Sequence, residues 1–307
     1  MVAKLLRDHT GVEVDIVAVD DIAGGKGITL FSTGGALPVG TARLSADDYD
    51  LIWARRLRMP QRGAPSDGGE ASAYANSESQ AAIEGFCLGA GEDQVVVNPI
   101  LAERRAESKL WQLHIAPVLG FDIPDTVCSN SPADIRSAVE SMGGHAIVKK
   151  LRGTHHRSLL TLAVTPTMLA DDDALAAAPL LVQQRIDAEC HYRVNVFLDE
   201  IMAFRIESDA LDWRPGAGRG AVLVELPSAL ARLCLDFREA SGLYYCVLDL
   251  VQARDGRVYF LECNPQGQFL FIEQRSGQPV SIAFARMVLG LLDLRDRVAS
   301  LPQQLPV

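Results

Sequence analysis

Read for the spacing of its apolar positions, the chain alternates short β-branched runs with longer stretches of helical period. Strands are predicted at 12–19 ("VEVDIVAV"), at 27–31, in "QVVVNP" where Pro99 closes the run, in "HAIVKKL", in "LLTLAV", and at 191–198 and 201–208. Helices are predicted at 78–90, at about 101–119 with Pro117 limiting the end, at "SPADIRSAVESM", at 227–241 and at 281–292. Ser131 suits the N-cap of the third helix and Pro132 its first turn. Residues 62–77 and 209–220 are rich in loop formers, "GFDIPDTVCSN" reads as a loop entering a strand, and "APLLVQQRIDAE" reads as a linker. No internal repeat appears. Strands and helices mixed in this order imply an α+β chain of several lobes, not a doubly wound sheet.

One pattern breaks the rule that apolar runs fill a core. "YYCVLDLVQARDGRVYFLECNPQGQFLFIE" carries Asp249, Glu262 and Asn264 inside stretches that would pack well without them. Asp255-Gly256 between two apolar runs predicts a two-residue hairpin. Arg254 then faces Arg257, and Asp249 lies opposite Glu262 with Asn264 two residues along the same face. Leu248, Leu250, Leu261 and Cys263 form the opposite, core-facing side, while Val247, Val251, Phe260 and Phe271 accompany the carboxylates. Carboxylates ~5 Å apart repel by ~3 kcal/mol at an effective dielectric of ~20. A hard divalent cation removes that penalty, and three oxygen donors with room for water and phosphate oxygens suit Mg2+ beside a nucleotide.

Composition narrows the remaining choices. At 307 residues the chain is long enough for two or three lobes, and it is 48% hydrophobic with no run approaching membrane-span length. The N-terminus shows no signal-peptide core. The cysteines at 87, 128, 190, 234, 246 and 263 lack CxxC pairs and sit mostly among apolar neighbours. A soluble, cytoplasmic protein with reduced core cysteines is expected, with no membrane partner, zinc site or disulfide frame. A net charge of −10 argues against nucleic acid as a partner. The local exception is Arg55, Arg56, Arg58 and Arg62 around Trp53, either a solvated face or an anion- or peptide-binding patch.

"KLWQLHIAPVLGFDIPDTVCSN", "AIVKKL", "LVQQRI", "YRVNVF" and "LDLV…YFLECNPQGQ" resemble ATP-grasp ligases in order and spacing. More narrowly, "DLIWARRL", "IESDALDWR" and "ECNPQGQFLFIEQRSGQPV" resemble the graspetide synthetases, the microviridin-type peptide macrocyclases. The likeness covers roughly residues 50–290. It implies an N-terminal α/β domain at 1–100, a central ATP-grasp lobe at 101–182 and a C-terminal lobe with the metal site at 183–307. ATP would lie between the two α+β lobes, with Mg2+ on Asp249, Glu262 and Asn264. Lys109 and Lys149 would contact phosphates under the "RGTHH" turn. Gln183, Gln184, Arg185 and Ile186 would form the hinge that reads adenine through backbone groups. Arg193 and Arg214 would neutralise the transferred phosphoryl group and the acyl-phosphate. A charge at the end of "HAIV" is costly to bury unpaired, which supports Lys149 independently, although Lys150 is a rival and either could extend to water. Arg205 and Arg219 stay open as further candidates, and His155-His156 reads as loop more than as ligands.

The resemblance implies ATP-dependent activation of a side-chain carboxylate in a ribosomal precursor peptide, capture by a hydroxyl or amine as an ω-ester or ω-amide, recognition of a leader segment, and a homodimer. Alternatives are an ATP-grasp ligase adding amino acids to a protein or peptide, and an inactive peptide-binding scaffold. Two features depart from the pattern. Cys263 stands where many relatives carry another small or apolar residue, and "GTHHRSLL" lacks the glycine density of a flexible phosphate lid.

Overall fold

The computed structural model describes residues 1–18, 29–31, 34–39, 42–55, 70–91, 94–151, 161–208, 211 and 220–304. In chain order the elements are α1 (Val2–Thr10), β1 (Thr29–Phe31), β2 (Gly34–Val39), β3 (Ala42–Ser45), β4 (Leu51–Trp53), α2 (Glu70–Leu88), β5 (Val95–Val97), α3 (Ile100–Ala106) and α4 (Lys109–Leu119). There follow β6 (Thr126–Ser129), α5 (Pro132–Ser141), β7 (Ala146–Lys149), β8 (Leu162–Ala163), α6 (Pro166–Leu169), α7 (Asp172–Ala176), β9 (Leu180–Gln184), β10 (Ala188–Phe197), β11 (Glu200–Glu207) and β12 (Ala221–Val224). The C-terminal part holds α8 (Ser228–Ser241), β13 (Tyr245–Ala253), β14 (Val258–Asn264), α9 (Leu270–Ser276) and α10 (Val280–Leu291). The fold class is mixed α+β, and among the described residues no helix is long and apolar enough to cross a membrane.

The chain divides into two compact units. The first comprises Met1–Arg104, Gly242–Tyr245 and Gln278–Val307. It contains the antiparallel sheet β1-β2-β3 and the parallel pair β4-β5. Helix α10 is buried along most of its length, and Phe284 on it stacks against Trp53 at 4.3 Å and meets Tyr245 edge-on at 5.5 Å. Arg55 lies 5.6 Å from the Trp53 ring, while Arg56, Arg58 and Arg62 lie outside the described residues. Two expectations are corrected here. Residues 12–18 form no strand despite their β-branched alternation, and α2 begins at Glu70, well inside the stretch expected to be loop. Apart from Gly85, that helix carries no glycine and no proline; the turn-forming residues precede it.

The second unit, Arg105–Ser241 with Cys246–Gly277, carries two sheets. In the four-stranded sheet β6-β9-β7-β8, Ile135, Ala138 and Val139 of α5, with Met142 just past its end, pack on Ala146, Val182 and Val127. Ser131 caps α5 by accepting from Asp134 N–H, as its position after a loop predicts. The five-stranded sheet runs β12-β11-β10-β13-β14. Phe237 of α8 stacks on Phe260 of that sheet at 5.0 Å, and Phe121 lies 5.4 Å from Phe260.

The helix expected at 101–119 is two helices. Ser108 leaves the helical region of backbone space and its hydroxyl accepts from Trp111 N–H, so a new helix starts at Lys109. The restart sets Lys109 and Gln112 one turn apart on one side of α4. Gln112 is buried and clamps the backbone of β14: its Nε2 donates to Cys263 O at 2.8 Å and to Ala106 O at 2.6 Å, and its Oε1 accepts from Cys263 N at 2.9 Å. Replacing it with Leu keeps the volume but strands three backbone groups, so Gln112→Leu is expected to destabilise the protein by about 2–4 kcal/mol. Urea denaturation checks this; a change in midpoint equivalent to less than ~0.5 kcal/mol would mean water replaces the amide.

Candidate functional site

The carboxylates reach each other through two compensating irregularities of the β13–β14 hairpin. The turn is one residue longer than expected. Ala253 N donates to Arg257 O at 2.8 Å, Gly256 N donates to Ala253 O at 2.9 Å, and Gly256 takes φ +87°. Asp255 stabilises this loop by accepting from Arg257 N at 3.0 Å and Arg257 Nε at 2.8 Å. Those bonds, the backbone one first, hold its carboxyl below the usual range. Arg254 therefore does not face Arg257, and Gln252 pairs with Val258. That shift alone would place Asp249 opposite Leu261. A bulge at Asp249/Leu250 absorbs the extra residue, and Asp249 pairs with Glu262, Leu248 with Cys263 and Val247 with Asn264.

The bulge also exchanges two neighbours of the site. Phe260 pairs with Leu250 and is fully buried on the core side, so it does not accompany the carboxylates as expected. Leu261 leaves the core and is half-buried against Ala188, Val251, Ala253 and Tyr259. Phe271 does approach the site, but from helix α9 instead of an extended strand, with its ring 5.4 Å from the Arg193 guanidinium.

The opposed acids are neutralised by side chains from two other elements. Arg193 on β10 donates from Nη1 to both Asp249 oxygens, at 2.8 and 2.9 Å, and from Nη2 to Gln268 O at 3.1 Å. Asn264 Nδ2 donates to Asp249 Oδ2 at 2.9 Å. Lys109 forms an ion pair with Glu262. Deleting Glu262 would therefore leave a half-buried ammonium without its carboxylate, which removes the repulsion argument based on the two acids alone. Next to Arg193 on the same strand face, Asn195 is fully buried, and among the described residues neither its Oδ1 nor Arg193 Nε has a hydrogen-bond partner.

Gly267 makes this geometry possible. A Cβ there would fall 2.4 Å from Val247 Cγ2 and 2.6 Å from Val247 Cβ, with Arg193 Nη2 at 3.3 Å. The loop after Asn264 can thus lie directly on β13 and bring the Gln268 carbonyl to Arg193. Sequence reasoning missed both Gly267 and Gln112. The available signals were a glycine three residues past Asn264 and a lone amide one helical turn from Lys109.

On the other sheet, Thr126, Gln183 and Ile147 pair across β6, β9 and β7, and Lys149 lies two residues beyond Ile147 on the same face. Lys150 lies just past the end of β7. In the segment expected to form the hinge, Gln184 N donates to Asp125 O and Arg185 N to His145 O, each at 2.8 Å, so those two donors serve the sheet. Arg205 is paired with Tyr192, on the face away from Arg193, and bonds Glu207, Glu189 and Cys190. It is thereby removed from the site. Arg214, Arg219 and the "RGTHH" turn lie outside the described residues.

Among the described residues no group of three or more His, Cys, Asp or Glu side chains gathers as a metal cage. The two paired carboxylates and the Asn264 carboxamide nevertheless fit Mg2+, which commonly takes one or two carboxylates and completes its shell with water and phosphate.

No protein-family model matches the chain. A protein named probable alpha-L-glutamate ligase from Shewanella loihica (strain ATCC BAA-1088 / PV-4) is 27% identical over 196 residues, 60% of this chain and 64% of that protein. The chain thus matches about 64% of the length of this curated relative. Among solved structures, macrocyclase MdnC bound with precursor peptide MdnA from Microcystis aeruginosa MRC is similar at TM-score 0.84 and 24% identity, over 94% of both chains. A Chryseobacterium gregarium RiPP-associated ATP-grasp ligase, in complex with ADP and a leader and core peptide, is similar at TM-score 0.79 and 22% identity, over 94% of this chain and 92% of that one. The ATP-grasp ligase PsnB complexed with minimal precursor, Mg and ADP is similar at TM-score 0.72 and 21% identity, over 94% and 92%. The chain has the fold of the ATP-grasp ligases.

The close approach at Gly267 yields a direct test. Gly267→Ala is expected to destabilise by about 1–3 kcal/mol, because the loop must lift off Val247. Gly290, in α10 with open space around it, is the control: Gly290→Ala is expected to stabilise by about 0.5–1 kcal/mol. Chemical denaturation of both variants checks the pair, and equal effects would mean that the loop adapts freely.

Proposed function

We propose that this chain is an ATP-dependent peptide macrocyclase, a graspetide synthetase that forms ω-ester or ω-amide crosslinks in a ribosomally made precursor. The observation that carries this reading is the array Lys109–Glu262–Asp249–Arg193 with Asn264, set on a fold whose solved counterparts include a macrocyclase bound to its precursor peptide. In this reading residues 101–182 and 183–307 are the lobes that hold ATP, and 1–100 precedes them.

Asp249, Glu262 and Asn264 would hold Mg2+, which when bound offsets phosphate charge and favours departure of ADP. Lys109 and Lys149 orient the triphosphate, and the backbone of Gln183 to Ile186 takes the adenine edge. Since the N–H groups of Gln184 and Arg185 already serve the sheet, the Ile186 backbone carries most of that role. A substrate carboxylate attacks the γ-phosphorus and ADP departs, giving an acyl-phosphate. Arg193 and Arg214 bind its oxyanion oxygens, which suits the forked geometry of guanidinium. A hydroxyl or amine of the same peptide then attacks the acyl carbon, phosphate leaves, and the nucleophile loses its proton. The enzyme's part is positioning and charge neutralisation, so no nucleophilic Ser or Cys is required.

The second reading, ligation of free amino acids to a peptide or protein, is favoured by the glutamate-ligase name of the curated relative. Product mass separates the two. With ATP, Mg2+ and a full-length precursor, each crosslink is expected to lower the peptide's mass by one water, whereas amino-acid ligation raises it. The enzyme carries net charge −10, so an acidic core is repelled at long range and a docked leader must compensate. Tethering is expected to raise effective binding by about 10²–10⁴-fold. Core peptide lacking its leader is expected to react far more slowly, with partial recovery when the leader is supplied in trans. A homodimer and a cytoplasmic location belong to the same proposal, and sedimentation reads the first.

The phosphate role divides two adjacent lysines. Lys149→Met is expected to weaken ATP binding about tenfold or more, and Lys150→Met much less, because only Lys149 shares the Gln183 face. Nucleotide titration checks the order, and its reversal would place the triphosphate on the other side of β7.

A further inference from the structure

Helix α9 carries a second guanidinium beside the site. Arg275 lies one turn after Phe271, and its guanidinium carbon is 5.5 Å from the centre of that ring. Arg193 meets the same ring at 5.4 Å. The sheet thus supplies one cation and the helix another, and their shared ring keeps them within about 11 Å of each other.

Their electrostatic situations differ. Arg193 is buried, and its charge is matched by Asp249. Arg275 is half-buried, and among the described residues it has neither an ion pair nor a hydrogen bond. In a chain with 39 acidic and 29 basic side chains, a guanidinium without a carboxylate beside a charge-balanced array is unexpected. Its place in the last turn of α9 accounts for a positive charge, which a helix C-terminus favours. That place does not account for packing on the ring that Arg193 also touches. Stacking on Phe271 restrains the planar fork before any ligand arrives, so less freedom is lost when the fork meets an anion.

Resting on the reading that Arg193 receives the reacting carboxylate of a peptide, we propose that Arg275 anchors a second carboxylate of the same peptide. Phe271 sets the spacing, since both cations pack on it. At about 3.3 Å per residue, that spacing suits acidic side chains two or three residues apart in an extended segment. Arg275 is then a specificity residue: it favours activation of an acid that has an acidic neighbour at this distance.

The test titrates capped peptides into protein loaded with ADP and Mg2+, followed by NMR. The diacids are acetyl-Glu-Ala-Glu-amide and acetyl-Glu-Ala-Ala-Glu-amide, and each has a monoacid counterpart with Gln for its second Glu. Capping removes terminal charges that would imitate or oppose a carboxylate. Wild-type protein is expected to bind at least one diacid about tenfold more tightly than its monoacid counterpart. Arg275→Gln should bring that diacid down to the monoacid level while leaving the monoacid unchanged. The wild-type comparison needs no variant to fold, and thermal melting reports on the one that is made. Equal wild-type affinity for diacids and monoacids overturns the second anchor while leaving the reading of Arg193 in place. A diacid preference that survives in folded Arg275→Gln overturns the assignment to Arg275, whose charge then serves the helix end alone. Binding of none of the peptides overturns the reading of Arg193 together with this inference.

Discussion

The bidentate contact between Arg193 and Asp249 is the constraint around which the site is arranged. Both side chains are nearly inaccessible, at 6% and 10% exposure, so each would be strongly penalised without the other. Burying such a pair costs less the more of its leftover donors and acceptors are met, and here Arg193 Nε is left without a partner among the described residues. Asn264 gives Asp249 a third hydrogen bond, and the Gln268 carbonyl takes the second nitrogen of Arg193. That carbonyl is in reach because Gly267 lets the loop lie flat on Val247. Glu262, directly across the ladder, would undo this balance if Lys109 did not pair with it. Lys109 in turn sits at the start of a helix whose next turn, through Gln112, is fastened to the backbone of the same strand.

Much of this was legible as chemistry and less of it as geometry. The opposition of Asp249 and Glu262 followed from alternation in two apolar strands, yet the turn that set the expected register was wrong by one residue. The bulge restored the pairing because it lies between the turn and the acids, and nothing in "LVQARDGRVYFLE" announces it. Bulges shift side chains between faces without changing composition, so Phe260 and Leu261 exchanged places unseen. Periodicity also failed where it is weak in principle. "VEVDIVAV" has the right alternation, but no strand partner is found for its described residues, and a β-pattern without a ladder has no reason to persist. The break between α3 and α4 depended on a single serine choosing to cap instead of continuing a helix, a matter of about 1 kcal/mol that apolar spacing does not register. The burial of Gln112 and Gln183 was hidden for a related reason. A polar residue in an apolar element looks the same in sequence whether its partners are solvent, backbone or ligand.

The arrangement has a consequence for loading. As it stands the array is locally neutral, with Lys109 and Arg193 matching Glu262 and Asp249. A magnesium-bound nucleoside triphosphate remains net negative, so it cannot be balanced by the array alone. If the acids turn to the metal, Lys109 and Arg193 lose their present partners and become available to phosphate oxygens. The same two cations can therefore neutralise the acids in the ligand-free protein and the phosphates in the loaded one. This removes the opposed-carboxylate repulsion from both states without requiring an unpaired charge in either. Under the proposed function a further cation is needed, and Lys149, which shares a face with Gln183 on the other sheet, would supply it.

Neutrality within the site stands against an overall charge of −10, and the contrast bears on how a substrate is recognised. Long-range potential falls off over a Debye length of about 8 Å in physiological salt, so an acidic peptide approaching the surface meets repulsion before it senses any single arginine. Once inside, the low-dielectric surroundings of Arg193 make its short-range contacts far stronger than the same contacts at the surface. Such a protein disfavours free acidic ligands during encounter and favours them after delivery. Under the proposed function, selectivity then rests on whatever brings the carboxylate to the site, and chemistry on what awaits it there.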